Sequence, residues 1–234
     1  MIGLIAGVAL ALAAPDGQAQ SGDALIGGLE KLAQTENADA LYHLGMLRQN
    51  GVGAPRDLER ALGYFRRATT AGSKLGAYKL GCYYAGQYGV IERDEAQALR
   101  YKLVAAEAGY SLAQIDVAAI YARRGETAAA TEWLEKAAAQ GERRALLALA
   151  KLYGGSGAAR DDATSVAYFS LLAKLTDVPA EVRAGIAERE RKLTPDERAR
   201  MQAIVDGHMF RPTPLTLEAK EGLRAAEMLV ARRR

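Results

Sequence analysis

Apolar side chains recur at helical spacing in paired segments of about 12 residues through the middle of the chain. Leu41 and Leu44 lie in one such segment, and Leu99 and Leu103 lie in another. Residues three or four apart share one face of an α-helix, so the pattern predicts amphipathic helices. A loop separates the members of a pair, as at 49–55, where glycines and a proline end the first helix. The chain is therefore predicted to be all-α and built from helical hairpins.

These hairpins form an internal repeat. The sequence Ala-Leu-Tyr-His-Leu-Gly at 40–45 returns as Gly-Ala-Tyr-Lys-Leu-Gly at 76–81. Four copies, called the first to fourth repeats below, align at 38–72, 75–109, 111–141 and 143–177. Their differences in length are confined to the loop between the two helices. A lone hairpin cannot bury its apolar face, so the copies are predicted to stack into a right-handed α-solenoid.

Three kinds of position explain how the two helices of a repeat pack together and how the repeat ends. Small residues at 40 and 45, and at their equivalents, let the second helix approach the first closely. An aromatic residue at 64, 101, 133 or 169 is predicted to fill the remaining space between the helices. Gly72, Gly109 and Gly141 close the first three repeats, where the end of a helix calls for a positive φ.

The regions that flank the repeats are predicted to cap the solenoid. Residues 20–36 form an N-terminal capping helix, and 178–207 form C-terminal capping helices. The second of these starts with a capping box at 194–197, Thr-Pro-Asp-Glu. Residues 208–234 form a proline-containing linker and a final amphipathic helix from Thr216 to Val230, which either folds back on the solenoid or projects from it.

Residues 2–14 are uncharged and apolar, and a small-x-small cleavage site, Gly17-Gln18-Ala19, follows. A helix of this length spans about 20 Å, too short for a bilayer core of about 30 Å. The segment 1–19 is therefore predicted to be a signal peptide, which places the mature protein in the periplasm or outside the cell. No Lys or Arg precedes the run, so the alternative is a buried helix in a cytoplasmic protein.

The composition narrows the classes of function. Lys and Arg number 31, Asp and Glu 28, and the formal net charge is +3, with no concentrated basic stripe of the kind that binds nucleic acid. A single cysteine, Cys82, excludes an intrachain disulfide. With only two histidines in the chain, we do not expect a dense metal-binding cluster. No nucleophile motif or zinc-protease motif occurs. We expect no cofactor, no metal and no catalytic residue, with His43 partly exposed and Cys82 a small buried hydrophobe.

The repeat has the pattern Ala-x-x-x-Leu-Gly, Gly-Val-Gly, Asp-x-x-x-Ala, Tyr-Phe-x-x-Ala and a closing Gly. This pattern resembles the Sel1-like repeat (SLR), a relative of the tetratricopeptide repeat with a longer loop. The resemblance implies protein–protein interaction, often by envelope or secreted proteins of bacteria. Some relatives carry disulfide-linked helix pairs and are connected with penicillin binding and β-lactam hydrolysis. The single Cys82 cannot form such a bridge, which puts that activity in doubt.

One face of the first helix of each repeat points away from the second helix. The resemblance to other helical-hairpin solenoids implies that this face lines a concave groove. Its mixture of aromatic, aliphatic and charged residues is typical of a binding surface more than of a solvated helix. The candidate partner-binding residues are Asp39, Tyr42, His43, Met46, Tyr78, Lys79, Cys82, Ile115, Asp116, Leu147 and Lys151. Tyr42 and Tyr78 are the strongest anchors. Alternatively, Leu75, Leu112, Ile115 and Leu147 pack between neighbouring repeats.

These observations predict a non-enzymatic scaffold of the bacterial envelope that binds a peptide or protein segment in the groove. One alternative is a protein that binds or weakly hydrolyses peptidoglycan fragments or β-lactams, and another is a cytoplasmic assembly adaptor. The residues Arg232, Arg233 and Arg234 are either solvated or contact phospholipid or an acidic partner.

Overall fold

The computed structural model describes residues 16–232, which form thirteen α-helices and no strand. The helices are α1 (Asp16–Ala33), α2 (Ala38–Asn50), α3 (Leu58–Thr70), α4 (Lys74–Tyr84), α5 (Glu95–Glu107), α6 (Ser111–Arg123), α7 (Thr127–Ala139), α8 (Arg143–Gly154), α9 (Asp162–Leu175), α10 (Ala180–Arg191), α11 (Pro195–Gly207), α12 (Pro214–Glu221) and α13 (Leu223–Ala231). Within this part of the chain, no helix is long and apolar enough to span a bilayer.

The four predicted hairpins are present as α2/α3, α4/α5, α6/α7 and α8/α9. Each second helix also packs against the first helix of the next repeat, and α2 contacts α4 directly. The stacking buries an apolar core that runs through successive repeats. The prediction of an all-α solenoid is therefore confirmed.

Local chemistry sets the ends of the helices. Asp57, Asp94 and Asp161 are the N-caps of α3, α5 and α9, and their carboxylates accept hydrogen bonds from backbone amides in the first turn. The three closing glycines have φ values of +98°, +93° and +83°, as expected from the sequence. These angles are in the left-handed region that favours glycine, so each turn into the next repeat depends on the missing side chain.

The space between the helices of the first repeat is filled by Phe65, not by Tyr64. Phe65 is fully buried, and a Cβ built on Gly45 would lie 2.6 Å from its ring. Tyr64 is only half-buried, like Tyr101, Trp133 and Phe169 at the equivalent positions. The predicted filling residue was therefore wrong by one position, which is a rotation of 100° around the second helix.

Additional helices cover both ends of the repeats. Helix α1 packs on α2 and starts earlier than the predicted capping helix. Helices α10 and α11 both pack on α9, and the capping box at Thr194 is present with Pro195 in the first turn of α11. Most of the predicted signal peptide, residues 1–15, lies outside the described residues, as do Arg233 and Arg234. Ala19, the predicted cleavage position, is part of α1.

The end of the chain folds back on the solenoid as two helices. The single helix predicted from Thr216 to Val230 is interrupted at Gly222, whose φ of 53° and ψ of −119° suit only glycine. Helix α13 packs on both α1 and α2. The approach to α1 is close, because a Cβ on Gly28 would lie 2.5 Å from Val230. The question left open by the sequence is thus answered: this segment docks.

Candidate functional site

All eleven candidate residues lie on α2, α4, α6 and α8, the first helices of the repeats. We call the side of these helices that carries the candidates the first-helix face. The structure does not present these candidates equally. Tyr42, His43 and Cys82 are buried, Asp39 and Lys151 are exposed, and Met46, Tyr78, Lys79, Ile115, Asp116 and Leu147 are half-buried.

The first repeat buries its two aromatic candidates. Tyr42 is 8% exposed, and its ring lies 6.2 Å from that of Phe65, in the core. His43 is 6% exposed, so the expectation of a partly exposed histidine was wrong. Burial lowers the pKa of His43, and the nearby carboxylate of Asp39 opposes this change. Burial also raises the pKa of Tyr42, with a smaller contribution from Tyr110 and then Glu218.

Helices α12 and α13 flank this part of the first-helix face. A cavity of about 380 Å³ lies between them and α2, lined by Asp39 and His43 on one side and by Glu218, Glu221 and Leu229 among others on the opposite side. Burial raises the pKa of the Glu218 carboxyl, and the charge of Asp39 adds to this effect. Two acidic side chains therefore face one another across the junction between the first repeat and the end of the chain.

A buried polar cluster joins the second and third repeats. The Lys102 ammonium, with 5% of its side chain exposed, lies 2.6 Å from the carboxylate of Asp116. The Tyr78 hydroxyl donates to the same carboxylate at 3.4 Å, and its ring packs edge-on against Tyr110 at 4.9 Å. Burial raises the pKa of Tyr78 and also that of Cys82, which is 2% exposed. The cluster joins α4, α5 and α6 and holds Asp116 in a set geometry.

Lys102 was not among the sequence candidates. It occupies the position that holds Phe65 in the first repeat and Leu134 in the third. A lysine at a position that is apolar in other repeats is the signal that would have found it. A buried ammonium requires an anionic partner, and the stacking of α6 on α5 supplies Asp116.

A polar cavity of about 400 Å³ opens beside this cluster. It is lined by Lys102 and Asp116 and also by Arg93, Glu95 and Arg123, among others. Glu95 accepts hydrogen bonds from Arg93 at 3.3 Å and from Arg123 at 3.2 Å, and the bond from Arg123 is the largest cause of the lowered pKa of this carboxyl. Sequence reasoning missed these residues because they come from helix ends and loops of different repeats.

The aliphatic candidates divide between packing and exposure. Leu75 is buried, and Leu112 and Ile115 pack against the apolar core, as the alternative interpretation predicted. Leu147 is half-buried on α8. Lys151, one turn further along α8, is exposed.

The residues that follow α11 form a second polar network with the turns at the two ends of the third repeat. We call residues 208–232 the C-terminal segment. The backbone amide of Arg211 donates to the Ala139 carbonyl at 2.8 Å, and that of Thr213 donates to Gln140 at 3.1 Å. The Thr213 hydroxyl lies 2.9 Å from the carbonyl oxygen of Gly109. An extended stretch of chain is thereby attached to the edge of the first-helix face.

Thr216 is the centre of this network. Its hydroxyl lies 2.7 Å from Oε1 of Gln140 and accepts a hydrogen bond from the backbone amide of Ser111 at 3.0 Å. The amide of Gln140 in turn donates to the Gly109 carbonyl at 2.8 Å and to Gln114 at 2.9 Å. Thr216, Ser111 and Gln140 are all at most 5% exposed. None of these residues was a sequence candidate.

No three His, Cys, Asp or Glu side chains within residues 16–232 form a group that could hold a metal ion. Two ion pairs join α5 to the first helix α6, Lys102 with Asp116 and Glu95 with Arg123.

The fold and this face define a helical repeat protein of the solenoid class. The model of the Sel1 repeat matches residues 38–73, 75–110, 124–142 and 143–177, which together exceed half of the chain. The protein therefore belongs to the Sel1 repeat family. The third match covers only the second helix of its hairpin, although the structure contains both α6 and α7.

Several solved structures are similar to this chain, and two of them are Sel1 repeat or SLR proteins. The Sel1 repeat protein from Oxalobacter formigenes is 30% identical over 50% of this chain and 90% of its own, with a TM-score of 0.45. A protective antigen with an SLR fold, present in uropathogenic Escherichia coli strains, is 20% identical over 91% of this chain and 55% of its own, with a TM-score of 0.47. A search among curated proteins gives no match. The Sel1 repeat fold is commonly a protein-interaction scaffold, and its members are generally non-enzymatic.

Proposed function

We propose that this protein is a non-enzymatic interaction scaffold of the bacterial envelope that holds an extended segment of a partner protein on its first-helix face. The observation that carries the proposal is the C-terminal segment. Thr213 and Thr216 attach the extended residues 211–213 and the first turn of α12 to the edge of this face through hydrogen bonds. A face that binds its own chain in this manner has the donors and acceptors that a partner segment needs.

The partner also requires a part of the face that the C-terminal segment leaves open. The cavity beside Lys102 and Asp116 has no residue of that segment in its lining. The side chain of Arg123 at its edge is 55% exposed, and Lys151 on α8 is exposed as well. We therefore place the partner along α4, α6 and α8, with these two side chains in contact with it.

The burial of the Cys82 thiol and of the His43 imidazole favours a binding function over catalysis. Burial raises the pKa of Cys82, so at neutral pH the sulfur is held as the less nucleophilic thiol. Burial lowers the pKa of His43, which lies on another helix in the core of the first repeat. The two groups are therefore unsuited to act together as nucleophile and base.

The assignment to the envelope rests on the apolar run at 2–14 and on the small residues Gly17 and Ala19 that follow it. Intact mass spectrometry of protein recovered from cells tests it. Cleavage after Ala19 in protein from the periplasm supports the assignment. Uncleaved protein in the cytoplasm contradicts it and favours the assembly adaptor.

Crosslinking in an envelope extract tests the scaffold. The tagged protein is compared with the double variant Lys151→Glu/Arg123→Glu, which reverses two charges on the first-helix face. The matched control is Lys174→Glu/Arg100→Glu, which makes the same reversals at exposed positions of second helices α9 and α5. We expect one dominant partner with the native protein and the control, and its loss with the face variant. Recovery of the same proteins by all three would refute the proposed surface.

A further inference from the structure

The hydrogen-bond network around Thr216 is specific to the third repeat, because it uses the turns at both ends of that repeat. The residue before the closing glycine is Gln140 in the third repeat, whereas Ala71 and Ala108 hold this position in the first two. Ser111 stands where the second and fourth repeats have Lys74 and Arg143. Only the third repeat therefore combines a buried amide side chain with a small residue at the start of its first helix.

The backbone turns at Gly109 and Gly141 allow the linker to approach closely. A Cβ on Gly109 would lie 2.8 Å from the methyl group of Thr213, so the glycine allows the linker to approach its carbonyl oxygen. Gly141 is likewise in contact distance of the Phe210 ring. The two repeat-closing glycines thus contribute both the left-handed turn and a surface on which the extended residues lie.

The rest of the C-terminal segment is held less firmly. Only Thr216 in α12 and Ala226 in α13 are buried, while Leu217, Leu223 and Met228 are 51%, 47% and 38% exposed. Helices of 8 and 9 residues are too short to be stable without tertiary contacts. Ala226 belongs to the apolar core, whereas Leu215, Leu229 and Val230 are only partly buried against it. The threonine network is therefore the buried polar anchor of an element whose other contacts are mostly partial, and such elements open at lower free-energy cost than the core.

We propose that the turns at the two ends of the third repeat form a recognition site for a Pro-Thr-Pro-x-Thr segment whose extended first residues lead into the first turn of a helix. Residues 212–216 occupy the site in the free protein, and a partner with the same pattern binds by displacing them. This inference rests on the proposed scaffold function and specifies one binding site and its ligand. The two hydroxyls are recognised by the Gly109 carbonyl, Gln140 and the Ser111 amide.

Displacement has a cost that can be measured. A segment tethered by a short linker acts at a millimolar effective concentration, so it weakens the apparent affinity of any competing segment. Removal of a buried hydroxyl from the tethered copy leaves the Ser111 amide unpaired, which weakens its docking by about tenfold or more. A free peptide that keeps both threonines then gains affinity by a similar factor.

Fluorescence anisotropy with a labelled synthetic peptide of residues 208–221 tests this competition on the full-length protein. The proteins are the native chain, Thr216→Val, Thr213→Val/Thr216→Val and the control Thr216→Ser, which keeps the hydroxyl. We expect the peptide to bind the two valine variants at least tenfold more tightly than the native or serine protein. Circular dichroism and a thermal melt establish that each variant is folded.

Two further peptides isolate the recognised pattern. A peptide with valine at both threonine positions should not bind any of the proteins. A peptide that keeps only residues 212–216 and replaces its flanks with Gly and Ser should still bind the valine variants. Equal binding to native protein and variants, binding of the valine peptide, or failure of the native peptide to bind either valine variant would each overturn the proposal. These outcomes do not depend on Lys151 or Arg123, so failure here is distinct from failure of the scaffold.

Discussion

Substitution of Gly45 by alanine tests whether the close approach of α2 and α3 holds the first repeat together. The new Cβ would lie 2.6, 2.8 and 2.9 Å from three ring atoms of Phe65, where about 3.5 to 4.0 Å is the usual separation of carbon atoms. Phe65 is 0% exposed, so its ring has no solvent-filled space to enter. Overpacking of this kind costs about 1–3 kcal/mol. Alanine also gains about 1 kcal/mol of helix propensity over glycine, which offsets part of that loss.

The matched control is Gly63→Ala on α3, because nothing lies within 4 Å of its new Cβ. Both variants gain the same helix propensity, so the difference in their free energies of unfolding isolates the clash at about 1–3 kcal/mol. Urea unfolding followed by circular dichroism measures this difference. In a Phe65→Leu background the difference should shrink, because the smaller side chain vacates the space. Equal stability of the two alanine variants in the native background would refute the packing argument.

Three other substitutions or treatments test the buried polar groups. Asp116→Asn should lower the free energy of unfolding by about 3 kcal/mol, because the buried Lys102 ammonium loses its anionic partner. Addition of Lys102→Met to this variant should recover most of the lost stability, as measured by urea unfolding. Burial lowers the pKa of His43 below 6.5 in the folded protein. Below that pH, the unfolded chain therefore binds more protons than the folded chain. Native stability should therefore fall as the pH drops below this value, and a pH series of unfolding curves should show a shallower fall for His43→Gln. Cys82 should resist alkylation in the native protein and react fully in urea, which mass spectrometry would detect; complete native labelling would contradict its burial.

The candidate residues on the first helices show where prediction from sequence loses accuracy. A helical wheel placed Tyr42 and His43 on the face opposite α3, yet both are buried. The wheel considers one neighbour, whereas α2 also touches α1, α4 and α13, so most of its circumference is covered. Asp39 and Lys151 lie near the start of α2 and the end of α8, and both stay exposed.

Contacts between distant residues could not be obtained from periodicity at all. Ser111 and Thr216 are 105 residues apart in the chain and share one hydrogen bond. Neither residue carries a local signal in the sequence for the other. Lys102 is an intermediate case, because the sequence predicts only part of its contact. Its departure from the apolar repeat pattern indicates a buried charge but does not identify Asp116 as its partner.

The sequence by itself determined the helix pairs, their four-fold repetition, the positive φ of the closing glycines and the capping box at Thr194. These features depend on hydrogen bonds and dihedral preferences within a few residues, and on a spacing that any stacked hairpin must keep. Only the tertiary structure decided which side chains remain accessible, that the final helix breaks at Gly222, and that the C-terminal segment docks beside Gln140. The physical reason is that these outcomes depend on how closely whole elements approach, and the approach is set jointly by glycines, ring shapes and buried partners from several repeats.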